Sequence, residues 1–557
     1  MESTANRKLL LTSVCQPFGE EHGDGFGVSY EGSHQIMWAQ GIFRTRGTTT
    51  QWGIDFIAEN LQIPTTTLHY PTMRRFISEI KKGYDYVGIA FVSPTLHKMI
   101  PMVQAIRQHA PATKIILGGY GTALGDEQLG PYADHICHGE GVAFMRRLLG
   151  ERVDAPIVQP DITQTQRMFG MPLLSRTGYV FAGLGCPNGC DFCATSYYFD
   201  RKHIMILPDG PAILRAIQQI RARHPDITTI WINDEDFLLN ETRGRSFLEA
   251  IRQSSLPPLS LSVFSSVKAL SKYKASELVE MGIDWIWVGF EAKRAGYAKM
   301  QGRPYPELFA DLRAHGISIM ASMIIGFDYQ TPETIEEEFE ELIALRPSMS
   351  QFLIYGPAHG TPSHARLQAE GRLNNMLLSE HHLHDGFSLG FEHPHIGAEQ
   401  MSAIQRGLYR EEFRRLGPSV FRVAEDYLEG HVALRDHPAT RVRAKAARYG
   451  QDAHCAAKVI RAAKRYLSPD LYPWLEGLRD RLLHEVGPLT PKDRVIERLA
   501  PVILAREHFK LHHDVGLQPE FTRRSYRTGS PKLSVRALID AAASLIPGPL
   551  LVPPQGR

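Results

Sequence analysis

Cysteine is scarce in this chain of 557 residues, which contains only six. Three of them fall close together and three are scattered, whereas a disulfide framework would spread its cysteines more evenly behind a secretory signal. The N-terminal residues lack a signal-peptide pattern, because the apolar run at 9–14 is short and no small-residue cleavage site follows it. We therefore expect a reducing, cytoplasmic setting.

Long apolar runs and an excess of either charge are also missing. No stretch reaches the ~18 apolar residues of a transmembrane segment. The apolar segment 538–552 contains Asp540 and two prolines, and it predicts a helix with a Pro-rich tail that is either docked or frayed, or that touches a membrane surface. With 62 Lys and Arg against 60 Asp and Glu, the net charge of +2 indicates neither nucleic acid nor an acidic partner.

Continuous apolar strands alternate with helical patterns up to about residue 165. The predicted strands are 9–14, 86–92, 114–117 and 135–137. Such a pattern is typical of an α/β fold with a parallel sheet that is covered on both faces. Because these sheets bind ligands at the carboxyl ends of their strands, Ser93 and Thr95, after the second strand, and Gly118 and Gly119, after the third, are candidate binding residues.

A second series of six strand–helix units follows a linker at 161–175. Its predicted strands are 179–182, 228–232, 259–264, 285–290, 317–326 and 351–355. The simplest closed or half-closed arrangement of six such units is a partial barrel. From about residue 376 charged helical patterns replace the alternation. The sequence therefore predicts a Rossmann-like domain at 1–165, a partial (βα)6 barrel at 166–375 and a helical C-terminal region at 376–557.

The strongest chemical signal is the loop Gly-Cys186-Pro-Asn-Gly-Cys190-Asp-Phe192-Cys193. Three thiolates this close cannot all pair in one disulfide, but they can ligate a four-iron, four-sulfur cluster. Three protein ligands leave one iron open to an exogenous ligand. Zinc is the competing interpretation, with His203 as the nearest fourth ligand, although no second cysteine pair follows. A loop without metal is the remaining alternative.

This cysteine spacing, in a loop after the first strand of a six-unit βα region, resembles the radical S-adenosylmethionine superfamily. The resemblance implies that the amino and carboxylate groups of S-adenosylmethionine chelate the open iron. It implies further that one electron cleaves the sulfonium bond to give a 5'-deoxyadenosyl radical. The electron would come from an external donor such as a flavodoxin or ferredoxin, and Phe192 would pack near the adenine.

Three later segments match the cofactor contacts of this family. Asp234 follows the second barrel strand and would bind the methionyl amine, unless it caps the next turn. Glu291 ends the fourth strand and would accept hydrogen bonds from the ribose, unless it forms a strand-end salt bridge. Gly326, after the fifth strand, would lie near the adenine. His359 stands where the family usually has the second proline of a Pro-x-Pro-Gly-Thr turn, and we interpret it as structural.

The first domain resembles the cobalamin-binding subgroup of the same superfamily. The matching pieces are Ser93-Pro-Thr95, Gly118-Gly119 and a turn that ends at Glu140. The Asp-x-His-x-x-Gly motif that supplies a cobalt-ligating imidazole elsewhere is missing, so the resemblance implies no protein imidazole on the lower face of cobalamin. A domain that keeps the fold without the cofactor is the alternative. Dinucleotide binding is disfavoured, since Gly-x-Gly-x-x-Gly is absent.

The function that this resemblance implies is cobalamin-dependent methylation of an unactivated carbon. A radical rearrangement, cyclisation or carbon–carbon coupling with the same cofactors is an alternative, and a non-catalytic metal-binding protein is another. Aromatic residues of the helical region, Phe387, Phe391 and Tyr409, would suit a small apolar or lipid-like substrate, or they pack in a core. The histidines between 381 and 395 form either a proton relay or a solvated loop. The sequence assigns no catalytic residue.

Overall fold

The computed structural model describes residues 7–17, 38–44, 46–47, 51–169, 171–172, 176–374, 386–513 and 520–527. His381, His382, His384 and the apolar segment 538–552 lie outside the described residues. Two parallel sheets with their helices make up most of the described structure, as the alternating pattern predicts.

The first sheet is built from the N-terminal strands. In chain order the elements of this part are β1 (Leu9–Ser13), β2 (Arg46–Gly47), α1 (Trp52–Glu59), β3 (Thr65–His69), α2 (Met73–Ile80), β4 (Tyr86–Ala90), α3 (Leu96–His109), β5 (Lys114–Gly118), α4 (Asp126–Leu129), β6 (His135–Ile136), α5 (Gly141–Leu149), β7 (Thr163–Gln164), β8 (Gln166–Met168) and β9 (Met171–Pro172). Strands β3, β1, β4, β5 and β6 lie side by side and run parallel. Separate apolar clusters cover the two faces, which explains the continuous apolar runs of β1, β4 and β5.

The sequence does not predict strand β3, although the pattern of residues 70–82 predicts the helix that follows it. The segment Thr-Thr-Thr-Leu-His has no apolar run, yet all five residues are buried. β-Branched threonine suits a strand, and its hydroxyl can be satisfied locally, as when Thr65 donates to the carbonyl of Ile63 at 3.0 Å. The helix itself is shorter than predicted and ends at Ile80.

The second sheet contains six parallel strands that alternate with helices. Its elements are β10 (Thr177–Phe181), β11 (Gly183–Leu184), α6 (Ala194–Tyr198), β12 (Ile204–Met205), α7 (Gly210–Arg223), β13 (Thr229–Asn233), α8 (Glu241–Gln253), β14 (Ser260–Phe264), α9 (Val267–Leu270), α10 (Ala275–Met281), β15 (Ile283–Glu291), α11 (Tyr305–Ala314), β16 (Ser318–Ile325), α12 (Pro332–Ala344), β17 (Met349–Ile354) and α13 (Pro362–Ala369). The strand order is β17-β16-β15-β14-β13-β10, and the short β7 pairs antiparallel with β10 at one edge.

The two faces of the second sheet differ in character. One face packs against the helices in the largest apolar cluster of the protein. The other carries what we call the aromatic face, made of Trp231, Phe264, Trp285 and Trp287 on three adjacent strands. Ring centroids lie 5.5 Å apart for Trp231 and Phe264 and 5.0 Å apart for Phe264 and Trp287. This face is therefore a continuous aromatic surface, and its tryptophans are only partly buried.

The described C-terminal region is mostly helical but not entirely so. Its elements are α14 (Ala398–Leu416), α15 (Ser419–Leu434), α16 (Thr440–Ala457), α17 (Ile460–Ala463), α18 (Tyr472–Glu485), α19 (Pro491–His512) and β18 (Thr522–Tyr526). Strand β18 corrects the expectation of an all-helical region, because it pairs antiparallel with β3 at the edge of the first sheet. Its sequence shows no apolar alternation. The strand is held by ion pairs instead, in which Arg523 and Arg524 bind the carboxylates of Glu79 and Asp55. Across the described residues, no helix combines the length and apolarity needed to span a bilayer.

An apolar junction holds the two sheets together. Trp52 of α1 packs on Tyr179 of β10 with ring centroids 4.5 Å apart, and Phe56 packs on Phe181 at 5.1 Å. Val142 of α5 completes this cluster. The first strand of the second sheet is therefore anchored on the helices of the first, and the loop that follows it is held near the first sheet.

Candidate active site

The cysteine loop is shaped by local hydrogen bonds and by a glycine. Gly185 has a positive φ of 76°, and a Cβ there would meet the Lys202 carbonyl and the Phe199 side chain. Ser196 in α6 folds the loop back on itself, since its hydroxyl donates to the Cys186 carbonyl at 2.6 Å and accepts from the Gly189 amide at 3.1 Å. The loop therefore has a defined backbone that presents all three cysteines on the same short segment.

The three cysteine sulfurs are largely withdrawn from water. Burial raises the pKa of Cys186 to about 12 and that of Cys190 to about 11, and it also raises the pKa of Cys193. The nearby sulfurs raise one another's pKa further, which places them within electrostatic reach of each other. Lys299 opposes this effect at Cys190 and Cys193. Thiolates in this pocket need positive charge nearby, and bound iron supplies it.

The three loop cysteines do not converge on a single point. Among the described residues, no three His, Cys, Asp or Glu side chains converge closely enough to hold one metal ion. Ligands of a cluster bind different irons and stand farther apart than ligands of one zinc, so the donor set fits the cluster. His203, the candidate fourth zinc ligand, instead lies with Nε2 3.1 Å from Asp234 Oδ2.

Asp234, the residue predicted at the methionyl amine, is engaged by two protein groups. Arg243 donates to Asp234 Oδ2 at 2.6 Å, and both side chains are buried. Burial opposes ionisation of Asp234, but His203 and Arg243 outweigh it and lower its pKa. Burial, reinforced by Asp234, raises the pKa of the next residue, Glu235, to about 7. Asp236 contacts the cysteine loop directly, since its Oδ2 accepts from Asn188 Nδ2 at 3.1 Å.

Glu291 forms a buried ion pair whose partner the sequence did not identify. Its partner is Lys299, and the two side chains are 5% and 19% exposed. Burial disfavours the charge on Lys299, but Glu291 and the cysteine sulfurs outweigh it and raise the pKa of Lys299 above its ordinary value. Glu291 also has a φ of 56°, which is uncommon for a residue with a side chain and is typical of functional sites. Glu291 therefore forms the strand-end salt bridge that was the alternative to a ribose contact, and it does so at the edge of the cysteine pocket.

Phe192 belongs to an aromatic group beside the cysteines. Its ring lies 5.3 Å from Tyr297, 6.3 Å from Phe327 and 6.2 Å from Tyr355, and Lys299 Nζ lies 5.6 Å from its centre. Phe192 is partly exposed, so one side of the ring remains available for contact. This arrangement offers an apolar, water-poor wall next to the cysteine loop.

Gly326 lies at the carboxyl end of β16 and is fixed by a buried glutamine. Gln330 Oε1 accepts hydrogen bonds from the amides of Gly326 at 2.6 Å and Phe327 at 2.9 Å. Gln330 Nε2 in turn donates to Glu338 Oε2 at 2.6 Å. These bonds hold the Gly326 backbone in place beside Tyr355 of the aromatic group.

The residues of the first sheet that are candidates for binding cobalamin differ in their exposure to solvent. Gly119 has a φ of 89°, and a Cβ there would lie 2.6 Å from the Phe91 carbonyl, so only glycine fits. Gly119 is exposed, and Gly118 and Ser93 are partly exposed. Thr95 is fully buried, and its hydroxyl donates to the Val92 carbonyl at 3.0 Å and accepts from the Val92 amide at 3.2 Å. The Thr95 hydroxyl is therefore satisfied within its own turn.

A tyrosine joins the cysteine loop to the first sheet. The Tyr198 hydroxyl donates to the carbonyls of Gly119 and Cys137, each at 3.1 Å, and lies 2.9 Å from the Thr122 hydroxyl. The ring of Tyr120 packs against the ring of Tyr198 in a tilted arrangement, and the two centroids lie 4.9 Å apart. The loop after β5 and the loop after β10 thus touch at the carboxyl ends of both sheets.

The remaining candidates are structural. His393 donates from Nε2 to the Phe327 carbonyl at 2.9 Å and accepts two backbone amides at Nδ1, so its ring is held as a neutral hydrogen-bonding bridge. His359 packs on His364 with centroids 4.4 Å apart. The predicted aromatic residues Phe387, Phe391 and Tyr409 are buried in the core, which favours the packing interpretation.

Sequence comparison relates the chain to known proteins. No family model matches the chain. An uncharacterized methyltransferase of Pyrococcus horikoshii is 26% identical over 262 residues, which make up 46% of this chain and 54% of that protein. The anaerobic magnesium-protoporphyrin IX monomethyl ester cyclase of Rubrivivax gelatinosus is 22% identical over 345 residues, or 53% of this chain and 60% of that protein. The matched segments therefore span little more than half of each relative.

A solved structure has a similar fold. It is the radical S-adenosylmethionine methyltransferase TsrM from Kitasatospora setae with cobalamin and a [4Fe-4S] cluster bound. The TM-score is 0.51 over 81% of this chain and 99% of that one, at 14% identity, so the likeness concerns the fold. The resemblance predicted from the cysteine loop is confirmed: the chain is similar in sequence to a methyltransferase and in fold to a radical S-adenosylmethionine methyltransferase.

Proposed function

We propose that this protein is a cobalamin-dependent radical S-adenosylmethionine enzyme that methylates an unactivated carbon. In this proposal the first sheet and its helices form the cobalamin-binding-type domain, and the second sheet forms the partial barrel. The described part of the chain supports this assignment through its cysteine loop, its two parallel sheets and the contact between them. We also propose a cytoplasmic location for the protein, which is the location expected from its few cysteines.

One observation carries the proposal. Tyr198, five residues after the last loop cysteine, hydrogen-bonds to the Gly119 carbonyl of the first sheet at 3.1 Å. A methyl transfer that uses two cofactors requires them to share one substrate cavity, and this contact brings the two candidate cofactor loops together. A barrel with an unrelated N-terminal domain would have no need of it.

The residues divide between the proposed groups by their chemistry. Cys186, Cys190 and Cys193 would hold the cluster, and the Gly118-Gly119 backbone with Ser93 would support cobalamin. Phe192 and the Gly326 backbone would border S-adenosylmethionine. When bound, the cluster and S-adenosylmethionine supply a carbon radical that removes a substrate hydrogen atom, and cobalamin supplies the methyl group.

The protein's own charges have defined tasks in this proposal. Lys299 places a cation beside Cys190 and Cys193 and favours their thiolates. Glu291 fixes that cation and, at the same edge, is available to a ribose hydroxyl. Glu235 would receive the methionyl amine in place of Asp234, because Asp234 is already neutralised by Arg243. The aromatic group around Phe192 excludes water from this side of the site.

The aromatic face of the second sheet suggests the substrate class. Trp231 and Trp287 are partly exposed there, and the Nε1 of Trp231 and the Nδ2 of Asn233 are buried donors that find no hydrogen-bond partner among the described residues. Such a surface suits an apolar or aromatic small molecule that carries a hydrogen-bond acceptor. The reaction also requires an external one-electron donor, and a flavodoxin or ferredoxin fits that role.

The first test is anaerobic reconstitution with iron, sulfide and hydroxocobalamin, followed by ultraviolet–visible spectroscopy. The Cys186→Ala/Cys190→Ala/Cys193→Ala variant should lose the broad iron–sulfur absorption and keep the corrin bands. The matched control Cys455→Ala, in α16, should keep both. A cluster without corrin would leave a radical enzyme whose first domain is a scaffold, and would refute the methyl-transfer proposal. A parent protein that takes up zinc and no cluster would refute the whole assignment.

Cyclisation is the second candidate, because one sequence relative is a cyclase. It uses the same residues up to formation of the substrate radical. Isotope labelling separates the two: with S-adenosylmethionine labelled in its methyl group, methylation places label in the product, whereas cyclisation leaves the product unlabelled.

A further inference from the structure

The outward side of α19 carries an apolar stripe. Val495, Leu499, Val502 and Phe509 are 54%, 52%, 69% and 60% exposed. They are separated by four, three and seven residues, so they line up along one side of the helix. Exposed apolar residues scattered singly need no explanation, but a row of four along one helix is typical of a surface that contacts something.

Basic residues flank this stripe on both sides. Arg494 and Arg498 lie on one side of Val502, and Lys492 and Arg506 lie on the other, as follows from 3.6 residues per turn. All four are exposed. The face therefore has an apolar centre and a cationic border along most of the 22-residue helix.

The acidic residues of the same helix point the other way. Asp493 pairs with Lys458 at 2.7 Å, and Glu497 pairs with Arg479 at 2.8 Å; both acids are largely buried against neighbouring helices. Glu507 is buried as well and pairs with Lys510 at 2.9 Å. Every acid on α19 is thus turned towards the protein, and the outward face carries cations without anions.

We propose that this face of α19 binds an anionic lipid surface. An apolar stripe bordered by Lys and Arg is the pattern with which helices lie at the boundary of headgroups and acyl chains. Anionic lipids attract each such cation, whereas a second copy of the chain would bring Arg498 and Arg506 against like charges. The segment 528–557 is also a poor occupant, since its charged side chains are Lys532, Arg536 and Arg557 against Asp540.

Co-sedimentation of the full chain with vesicles tests the proposal. We expect binding to vesicles of 70% phosphatidylcholine and 30% phosphatidylglycerol, and little binding to pure phosphatidylcholine. Two variants remove the two components separately: Val502→Ser/Phe509→Ser removes apolar area, and Arg498→Glu/Arg506→Glu reverses charge. Each should lower the partition coefficient by roughly tenfold or more, and high salt should weaken binding of the parent protein.

Matched controls change other exposed sites. Val153→Ser/Ile157→Ser removes two apolar side chains that are 41% and 38% exposed, and Arg74→Glu/Lys268→Glu reverses two exposed charges; both should bind like the parent. Circular dichroism should be unchanged in all four variants, because every altered side chain is exposed. Equal binding to both vesicle types, or equal losses in the controls, would overturn the proposal. So would light scattering that shows a dimer which Val502→Ser/Phe509→Ser dissociates, because the face would then serve a second copy.

Discussion

Removing the cation of the Glu291–Lys299 pair should destabilise the second sheet. Lys299→Met leaves Glu291, which is 5% exposed, without its partner. Loss of one member of a buried ion pair typically costs about 3–5 kcal/mol, and the 19% exposure of Lys299 puts this pair at the lower end, at about 3 kcal/mol. In Glu291→Gln/Lys299→Met neither charge remains, so we expect most of this loss to be recovered.

Urea unfolding followed by tryptophan fluorescence measures the effect. Three of the six tryptophans, Trp231, Trp285 and Trp287, lie on the aromatic face, so the signal reports the second sheet. With a slope of about 2 kcal/mol per molar urea, Lys299→Met should lower the midpoint by about 1.5 M. A double variant as unstable as the single one, or a shift in the single variant below about 0.3 M, would refute the reasoning that Lys299 offsets a buried charge.

Three further predictions concern single positions. Gly119→Ala should lower the corrin bound per chain and leave iron unchanged, because its Cβ would lie 2.6 Å from the Phe91 carbonyl; metal and corrin analysis checks this. Arg243→Met should lower the midpoint of the same urea transition by an amount similar to Lys299→Met, since it leaves Asp234 buried and charged. Burial raises the pKa of Asp426 from 3.8 to about 7, so the contribution of this group to stability should fall as the pH rises between these values; Asp426→Asn should reduce the fall in thermal midpoints recorded across this range, and the part that remains belongs to other groups such as Glu235.

The parallel sheets could be predicted because buried strands leave continuous apolar runs, as in β1, β4 and β5. The cysteine loop could be predicted because all its ligands lie on one short segment. Lys299 could not, since an ion pair with Glu291 leaves no pattern in the sequence. The acids at 234–236 show the same limit. Which of their carboxylates is free depends on Arg243, and the position of Arg243 depends on how α8 packs.

Strand β18 failed prediction for a related reason. A strand held by charge pairs, such as Arg523 with Glu79, lacks the apolar alternation that marks strands in a sequence. Thr95 shows a further limit, because in a sequence a hydroxyl that bonds within its own turn cannot be told from one that is available to a ligand.

The pairing of β18 with β3 also has a consequence for synthesis on the ribosome. Strand β3 emerges early, but the strand that closes its outer edge is made only after the second sheet and the helices α14 to α19. Until then the nascent protein exposes a row of unpaired backbone N–H and C=O groups, which can form hydrogen bonds with other chains. Asp55, buried and bound by Arg524 and Tyr526, is likewise left without these partners. The first sheet is thus completed only after the second sheet has been made, and chains that terminate before β18 should aggregate through the open edge of β3.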